Sequence, residues 1–323
     1  MTQLCVGVVS RNTVDAALHV SVHDDVPITL IASRRQVNED GGYTGFTSRS
    51  LAEYTKYAPL ITLARDHNGP FQGAGDDTGD DSFARAVACI KQDEDAGWHG
   101  MHIDPPVDNT TLALRYLRAL ALQVPRTMWL EIGGEEQRID MGDASFALRA
   151  LALLRENAIT PRFAVVQTGT KVVEDYNVGA IMRWTPRDVH VNIRPIVRQL
   201  APVGLKIHNG DYLDQSRLAG LADAGVAGVN IAPEYGVLET TVLLANMHNF
   251  DKRQRFIDLA CMSGMWRKWM SPITQPTPQR CALLAGHYVL EHPEVREITA
   301  PFQVLVHNAL VHKIRQHVEA LAC

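Results

Sequence analysis

The sequence lacks most of what marks a secreted, membrane-spanning or nucleic-acid-binding chain. Only five cysteines occur in 323 residues, and none of Cys5, Cys89, Cys261, Cys281 and Cys323 stands in CxxC spacing. This argues against a disulfide framework or a thiolate metal cluster and fits reduced thiols in a cytoplasmic protein. No run approaches the roughly 18 apolar residues that a membrane span needs. The first residues, MTQLCVGVVSRN, carry no basic leader region and are not read as a signal peptide. A basic surplus is also missing: the formal net charge is −5, so no nucleic-acid partner is expected. Finally, CVGVVSRNTVDAA offers no glycine fingerprint after the first strand, which removes the main support for a doubly wound dinucleotide fold.

What is present is a repeated alternation. Short apolar runs recur as CVGVV near Cys5, ITLIA at 28–32, LITLA at 60–64, GMHID at 100–104, MWLEI at 128–132, FAVVQ at 163–167, VGLKIH at 203–208 and AGVNIA at 227–232. Most are continuously apolar, as strands covered on both sides of a parallel sheet should be. Between them, TTLALRYLRALAL and ASFALRALALLREN repeat apolar residues at spacings of three and four, the period of a half-buried helix. DDSFARAVACIKQDEDAG and QSRLAGLADAG end at Gly97 and Gly225, where a left-handed helix stop is expected. RDVHVNIRPIVRQL is ambiguous because Pro195 interrupts it. Eight strand–helix units predict a closed (β/α)8 TIM barrel over 1–248. From 249 to 323 the pattern turns helical and predicts a C-terminal extension packed on the barrel or on a subunit interface. Trp266 and Trp269, three apart, are expected on one helix face. GAGDDTGDD at 73–81 reads as a solvated polar loop.

In such a barrel the active site gathers at the C-terminal ends of the strands. Polar residues fall there repeatedly: Arg34 and Arg35 after strand two, Asp66 and His67 after strand three, His102 and Asp104 at strand four. Glu131 precedes Glu135 and Glu136 at strand five, and Gln167 ends strand six. Lys206, His208 and Gly210 mark strand seven, and Asn230 and Glu234 strand eight. His67 and His208, aimed at one mouth, make a divalent metal site plausible, with neighbouring carboxylates as further ligands or as acid and base. Adjacent strand residues point to opposite sides, so Asp66 and His67 share a site only if the strand curls there. Asn68-Gly69-Pro70 is the expected place for that curl.

GGYTGFT at 41–47, RDHNGP at 65–70, HIDPP at 102–106, EIGGEE at 131–136, VVQTGTKV at 165–172, HNGDYL at 208–213 and NIAPEYG at 230–236 follow in order over about 200 residues. This series resembles the class II, metal-dependent ketose-bisphosphate aldolases, and more closely the tagatose-bisphosphate aldolase accessory subunits. The resemblance implies that Asp66 moves a proton, that His67 and His208 ligate zinc, that Asn230 contacts substrate, and that Glu135 and Glu136 serve proton exchange from a loop. It departs where a third zinc histidine should follow strand six, since Gln167-Thr168-Gly169 stands there; either Glu131 or His102 is then the third ligand, or the site binds metal weakly. It departs again after strand eight, where Glu234 near a helix start discourages phosphate. Arg34 and Arg35 can hold an anionic group from the other side of the mouth, and Asp104, Gln167, Lys206 and Gly210 complete the expected substrate surface. The implied activity is metal-assisted aldol cleavage or condensation of a carbohydrate through an enediolate, in a homo-oligomer. The alternatives are a non-catalytic partner subunit of another aldolase and a metal-dependent sugar isomerase or epimerase.

Overall fold

The structure, a computed structural model, describes residues 2–73, 81–105, 109–133 and 144–322. The expected Asp-rich loop at 76–81 falls almost wholly outside them, and so do Glu135 and Glu136. Among the described residues ten strands occur: β1 (Gln3–Gly7), β2 (Ile28–Ala32), β3 (Ile61–Asn68), β4 (Gly100–Ile103), β5 (Trp129–Ile132), β6 (Phe163–Val165), β7 (Val172–Val173), β8 (Tyr176–Asn177), β9 (Gly204–Ile207) and β10 (Gly228–Ile231). All but β7 and β8 are parallel neighbours in a closed barrel, ordered β1-β10-β9-β6-β5-β4-β3-β2. Thus the (β/α)8 barrel is the fold, with a C-terminal helical segment. The antiparallel hairpin β7–β8 after β6 is an insertion the apolar runs did not announce.

The helices are α1 (Arg11–His23), α2 (Ser48–Thr55), α3 (Asp81–Asp95), α4 (Thr110–Ala121), α5 (Ser145–Arg155), α6 (Pro186–Leu200), α7 (Gln215–Asp223), α8 (Pro233–Asn246), α9 (Phe250–Met262), α10 (Pro278–Ala285), α11 (Pro293–Thr299) and α12 (Gln303–Leu321). Short polar side chains start many of them: Ser10 accepts from Thr13 N–H, and Thr47 and Thr185 form reciprocal capping boxes. Pro195 does not break α6. It and Val191, whose carbonyl loses its helical donor there, are both exposed, so the freed carbonyl is open to solvent. Helix α12 packs on α1, α7, α8 and β1, and so joins the outer layer of the barrel.

Inward side chains fill the barrel in layers. Gln3, Thr29 and Thr62 form a hydrogen-bonded polar floor, with Gln3 Nε2 donating to Thr29 Oγ1 and the two hydroxyls 2.7 Å apart. Above it Cys5, Ile31 and Ala64 pack with Trp129 as a small apolar plug. The main apolar core lies outside the strands, between sheet and helices. That outer layer also holds a charge pair. Arg65 of β3 bonds Asp93 of α3 at 2.7 and 2.8 Å, donates to Val37 O at 2.7 Å, and lies over Trp98. Both partners are buried.

Removing one partner of such a pair strands the other charge. Asp93→Ala should therefore cost about 3–5 kcal/mol, read as a lower urea midpoint. Glu239 of α8 is buried against the start of α1, where Asn12 donates to it. Burial pushes its carboxyl up to about 7, against the hydrogen bonds from Ser10 and Asn12. The unfolded carboxyl releases its proton near 4.5, so the native chain holds more protons between those values. This contribution to stability is complete below 4.5 and is lost as pH rises through about 7. Unfolding of Glu239→Gln followed from pH 4.5 to 7.5 should show a shallower decline than the parent; an unchanged slope would contradict the assignment.

Candidate active site

Strand β3 does not run regularly. Its register with β4 passes from Arg65 opposite Met101 to Asn68 opposite Ile103, so three steps on one strand match two on the other. The extra residue is a bulge, and His67 takes the left-handed backbone conformation there, with φ +47°. Bulging lets Asp66 and His67, adjacent in sequence, both face the mouth. The curl thus lies within the strand, one step earlier than Asn68-Gly69-Pro70. Asn68 resumes the pairing, and its buried amide donates to Ala86 O at 3.1 Å.

His102 from β4 and His208 at the end of β9 meet this bulge. The three imidazole centroids lie 5.1 Å (His67–His208), 5.2 Å (His67–His102) and 5.0 Å (His102–His208) apart. The Asp66 carboxylate is their hub: His102 Nδ1 is 3.2 Å away, His67 Nε2 3.7 Å and His208 Nε2 3.9 Å. One donor atom from each of the four residues fits within 4.8 Å of all the others. Donors around an ion at about 2.0–2.2 Å stand roughly 3–4 Å apart, so this cluster could hold a metal ion.

The surroundings fit that reading. Asp104 accepts from or shares a proton with His67 Nδ1 at 2.5 Å, the outer contact that fixes a ligating imidazole. Burial keeps the His208 ring below the ordinary histidine value despite Asp66 and Glu131, and the neutral ring is the ligating form. Burial works to raise the Asp66 carboxyl, but His67, His208 and His102 outweigh it and hold it well below the usual range. Glu131 is committed differently. Lys206 Nζ lies 2.5 Å from one oxygen and His208 Nε2 3.0 Å from the other. Burial opposes ionisation there too, yet Lys206 and the two histidines bring Glu131 down to about 2. Of the two candidates for third ligand, His102 has the geometry and Glu131 supports from beneath.

The cluster opens into a cavity of about 310 Å³. Arg35, Gln167 and Asn230 line it as expected. Asn230 is buried with neither its amide nitrogen nor its oxygen partnered, so both remain for a ligand. Other expected contacts are elsewhere. Arg34 bonds Gly69 O and lines a separate cavity of about 250 Å³ with Arg85 and Asn38. Lys206 sits under the cavity, spent on Glu131. Gly210 serves packing: a Cβ there would stand 2.3 Å from Val229 Cγ1. Glu234 is turned to Tyr212 N–H and Lys313.

Sequence reasoning missed a whole wall. Trp269, His287 and Tyr288 of the C-terminal segment line the cavity with Tyr43, and Trp269 Nε1 donates to Tyr288 OH at 2.9 Å. The two tryptophans therefore diverge: Trp266 bonds its own segment at Cys261 O, while Trp269 faces the site. Lys171, Asp211 and Lys268 were also missed, though Asp211 and Lys171 lie inside the motifs HNGDYL and VVQTGTKV.

No protein-family model and no curated protein matches the chain. Solved structures do. A probable tagatose 6-phosphate kinase from Sinorhizobium meliloti 1021 superposes with a TM-score of 0.78 at 18% identity, over 99% of this chain and 100% of that one. A fructuronate-tagaturonate epimerase, UxaE from Cohnella laeviribosi, gives 0.66 at 12%, over 99% and 81%. A fructose-bisphosphate aldolase from Campylobacter jejuni gives 0.57 at 13%, over 100% and 90%. At these identities the shared property is the (β/α)8 barrel fold. Among the described residues no helix is long and apolar enough to cross a membrane.

The division of roles can be tested by comparing two substitutions. Glu131→Gln should lower stability by about 3–5 kcal/mol, because Lys206 loses its partner, yet leave bound divalent metal near that of the parent. His102→Ala should lose the metal, at a cost in stability that includes the bond its Nδ1 accepts from His67 N–H. Elemental analysis beside denaturant titration distinguishes them, and the opposite pattern would make Glu131 the ligand.

Proposed function

We propose that this chain is a metal-dependent aldolase acting on a sugar-like ketose, with His67, His102 and His208 holding a divalent ion, most simply zinc. The observation that supports this best is the convergence of three imidazoles around one carboxylate at the mouth of the barrel. Three protein ligands with a position left open are the pattern of catalytic rather than structural zinc. The chemistry such an ion supplies is Lewis acidity, polarising a ketone and spreading the charge of an enediolate. Everything else falls to the chain. Asp66 is ionised, buried and central, so it takes the proton of the hydroxyl that becomes an aldehyde and returns it in condensation. Asn230 offers a donor and an acceptor to the substrate's own hydroxyl and carbonyl groups. Trp269 and Tyr288 close one side and exclude water. Glu135 and Glu136 are proposed for proton exchange at the nucleophilic carbon.

A second reading is epimerisation of a keto-sugar. It shares the ion and the enediolate, and the fold neighbour described as a fructuronate-tagaturonate epimerase favours it. The non-catalytic subunit reading is disfavoured by a fully assembled ligand cluster, which a scaffold has no need to keep.

Asp66→Asn should reduce turnover about 10²–10⁴-fold with folding intact. Mass analysis of the products from a panel of ketoses then decides the reaction: two fragments support the aldolase, an isomer of unchanged mass the epimerase. A protein that binds no divalent ion, or whose Asp66→Asn variant turns over like the parent, would sink both.

A further inference from the structure

In (β/α)8 barrels a phosphate commonly lodges between the loops after the last two strands and a helix N-terminus. Here those parts are the loop after β9 and the start of α8, and both line the cavity through Asn209, Asp211, Ala232 and Pro233. Their donors are already taken. Asp211 Oδ1 accepts from Ala232 N–H at 2.9 Å and from Glu234 N–H at 3.0 Å. Pro233 has no N–H, and Tyr235 N–H turns back to Ala232 O at 3.2 Å. In the facing loop, Gly210 N–H goes to Asn230 O at 2.9 Å and Tyr212 N–H to Glu234 Oε2 at 2.7 Å. The two loops thus exchange carboxylates, Asp211 capping α8 and Glu234 capping the β9 loop. The anion that suits a helix N-terminus is supplied by the chain itself. A phosphate entering there would meet no free donor among these groups and, above about pH 7, where the Asp211 carboxyl raised by burial and by Glu234 ionises, a negative charge in the way.

Cations reach the same cavity from other loops around the mouth. Arg35 after β2, Lys171 before β7 and Lys268 of the C-terminal segment all line the same cavity. They come from three separate parts of the chain, and Lys268 lies over Trp269, 4.7 Å from the ring centre. A cavity of about 310 Å³ is at the small end of ligand sites, enough for a monosaccharide. We propose that the cavity takes a keto-sugar with one anionic end, held by Arg35, Lys171 and Lys268, and an uncharged end against Asp211 and α8. This deepens the aldolase reading and rests on the same cavity, but excludes the bisphosphates that the motif resemblance would imply. The anionic end is a carboxylate or a single phosphate, since an arginine fork with lysines suits either.

Calorimetric titration of the zinc-loaded protein with 5-keto-D-gluconate, D-fructose 6-phosphate, D-fructose and D-fructose 1,6-bisphosphate tests this without needing turnover. At least one of the two singly ended anions should bind about 10-fold or more tighter than both D-fructose and the bisphosphate, and which one does so identifies the anionic group. Lys268→Met should remove most of that preference and leave D-fructose unchanged. In buffer at about pH 8.5, above the value of about 7 to which burial and Glu234 push the Asp211 carboxyl, Asp211→Asn keeps an acceptor for the two N–H groups but removes the charge, and should tighten the bisphosphate about 10-fold. Bisphosphate or D-fructose binding as tightly as the singly ended anions, or no binding of any of the four, overturns the proposal. So does an Asp211→Asn protein as weak for the bisphosphate as its parent. The expected binding pattern without any turnover would leave this inference standing and remove only the aldolase reading.

Discussion

The whole site depends on one violation of the strand pleat. Successive side chains of a strand point to opposite faces, so in a regular β3 either Asp66 or His67 would be buried under the helices. The bulge removes that choice by adding a residue between Arg65 and Asn68. Its cost is a non-glycine residue at positive φ, a conformation kept only where neighbours enforce it. They do so from several sides. His67 N–H donates to His102 Nδ1 at 3.3 Å, and His67 Nδ1 is held by Asp104. Before the bulge Arg65 is tied to Asp93, and after it Asn68 is tied to α3 at Ala86 O. The outward anchors on both sides fix the strand, so strain can collect only at the residue that faces the mouth.

Charge is layered on the same plan. Lys206 and Glu131 neutralise each other deep in the barrel, where an unpaired ion would be very costly. Glu131 then leans on His208, and His208 on Asp66, so the deep pair orients the rim above it. Lys206 is therefore a positioning residue and not a Schiff-base nucleophile. Its amine, held protonated by the Glu131 and Asp66 carboxylates against the effect of burial, has no free electron pair to offer.

Strand order and most helices were legible because continuous apolar runs and three-to-four spacing record burial directly. His67, His208 and Asp66 were legible because strand ends have a known address in a barrel. What stayed hidden was direction once the strand stops. Arg34 and Arg35 are neighbours, but past β2 no two-residue period remains to say which one enters the cavity, and only Arg35 does. The same loss of period exchanged the roles of Asp211 and Glu234: the carboxylate at the α8 N-terminus was foreseen, but it comes from the other loop. Pro195 left α6 ambiguous for another reason: a proline costs a helix interior about 3 kcal/mol, and only the buried face of Val189, Ile193, Ile196 and Leu200 carries the helix through it.

The C-terminal segment was the least legible, because its contribution depends on contacts far apart in sequence. Glu174, at the turn of the β7–β8 hairpin, donates its N–H to Trp269 O at 2.8 Å and accepts from Ser271 N–H at 3.1 Å. Arg280 of α10 bonds both Glu174 and Asp175. These bonds clamp the segment carrying Lys268 and Trp269 to a hairpin whose first residues follow Lys171. Two of the three rim cations are thereby set by one clamp, while the histidine cluster is set by the barrel strands. On the proposed reading, recognition and chemistry rest on different parts of the chain. Substrate choice can change by altering the hairpin and the C-terminal segment without disturbing the bulge on which the histidine cluster depends.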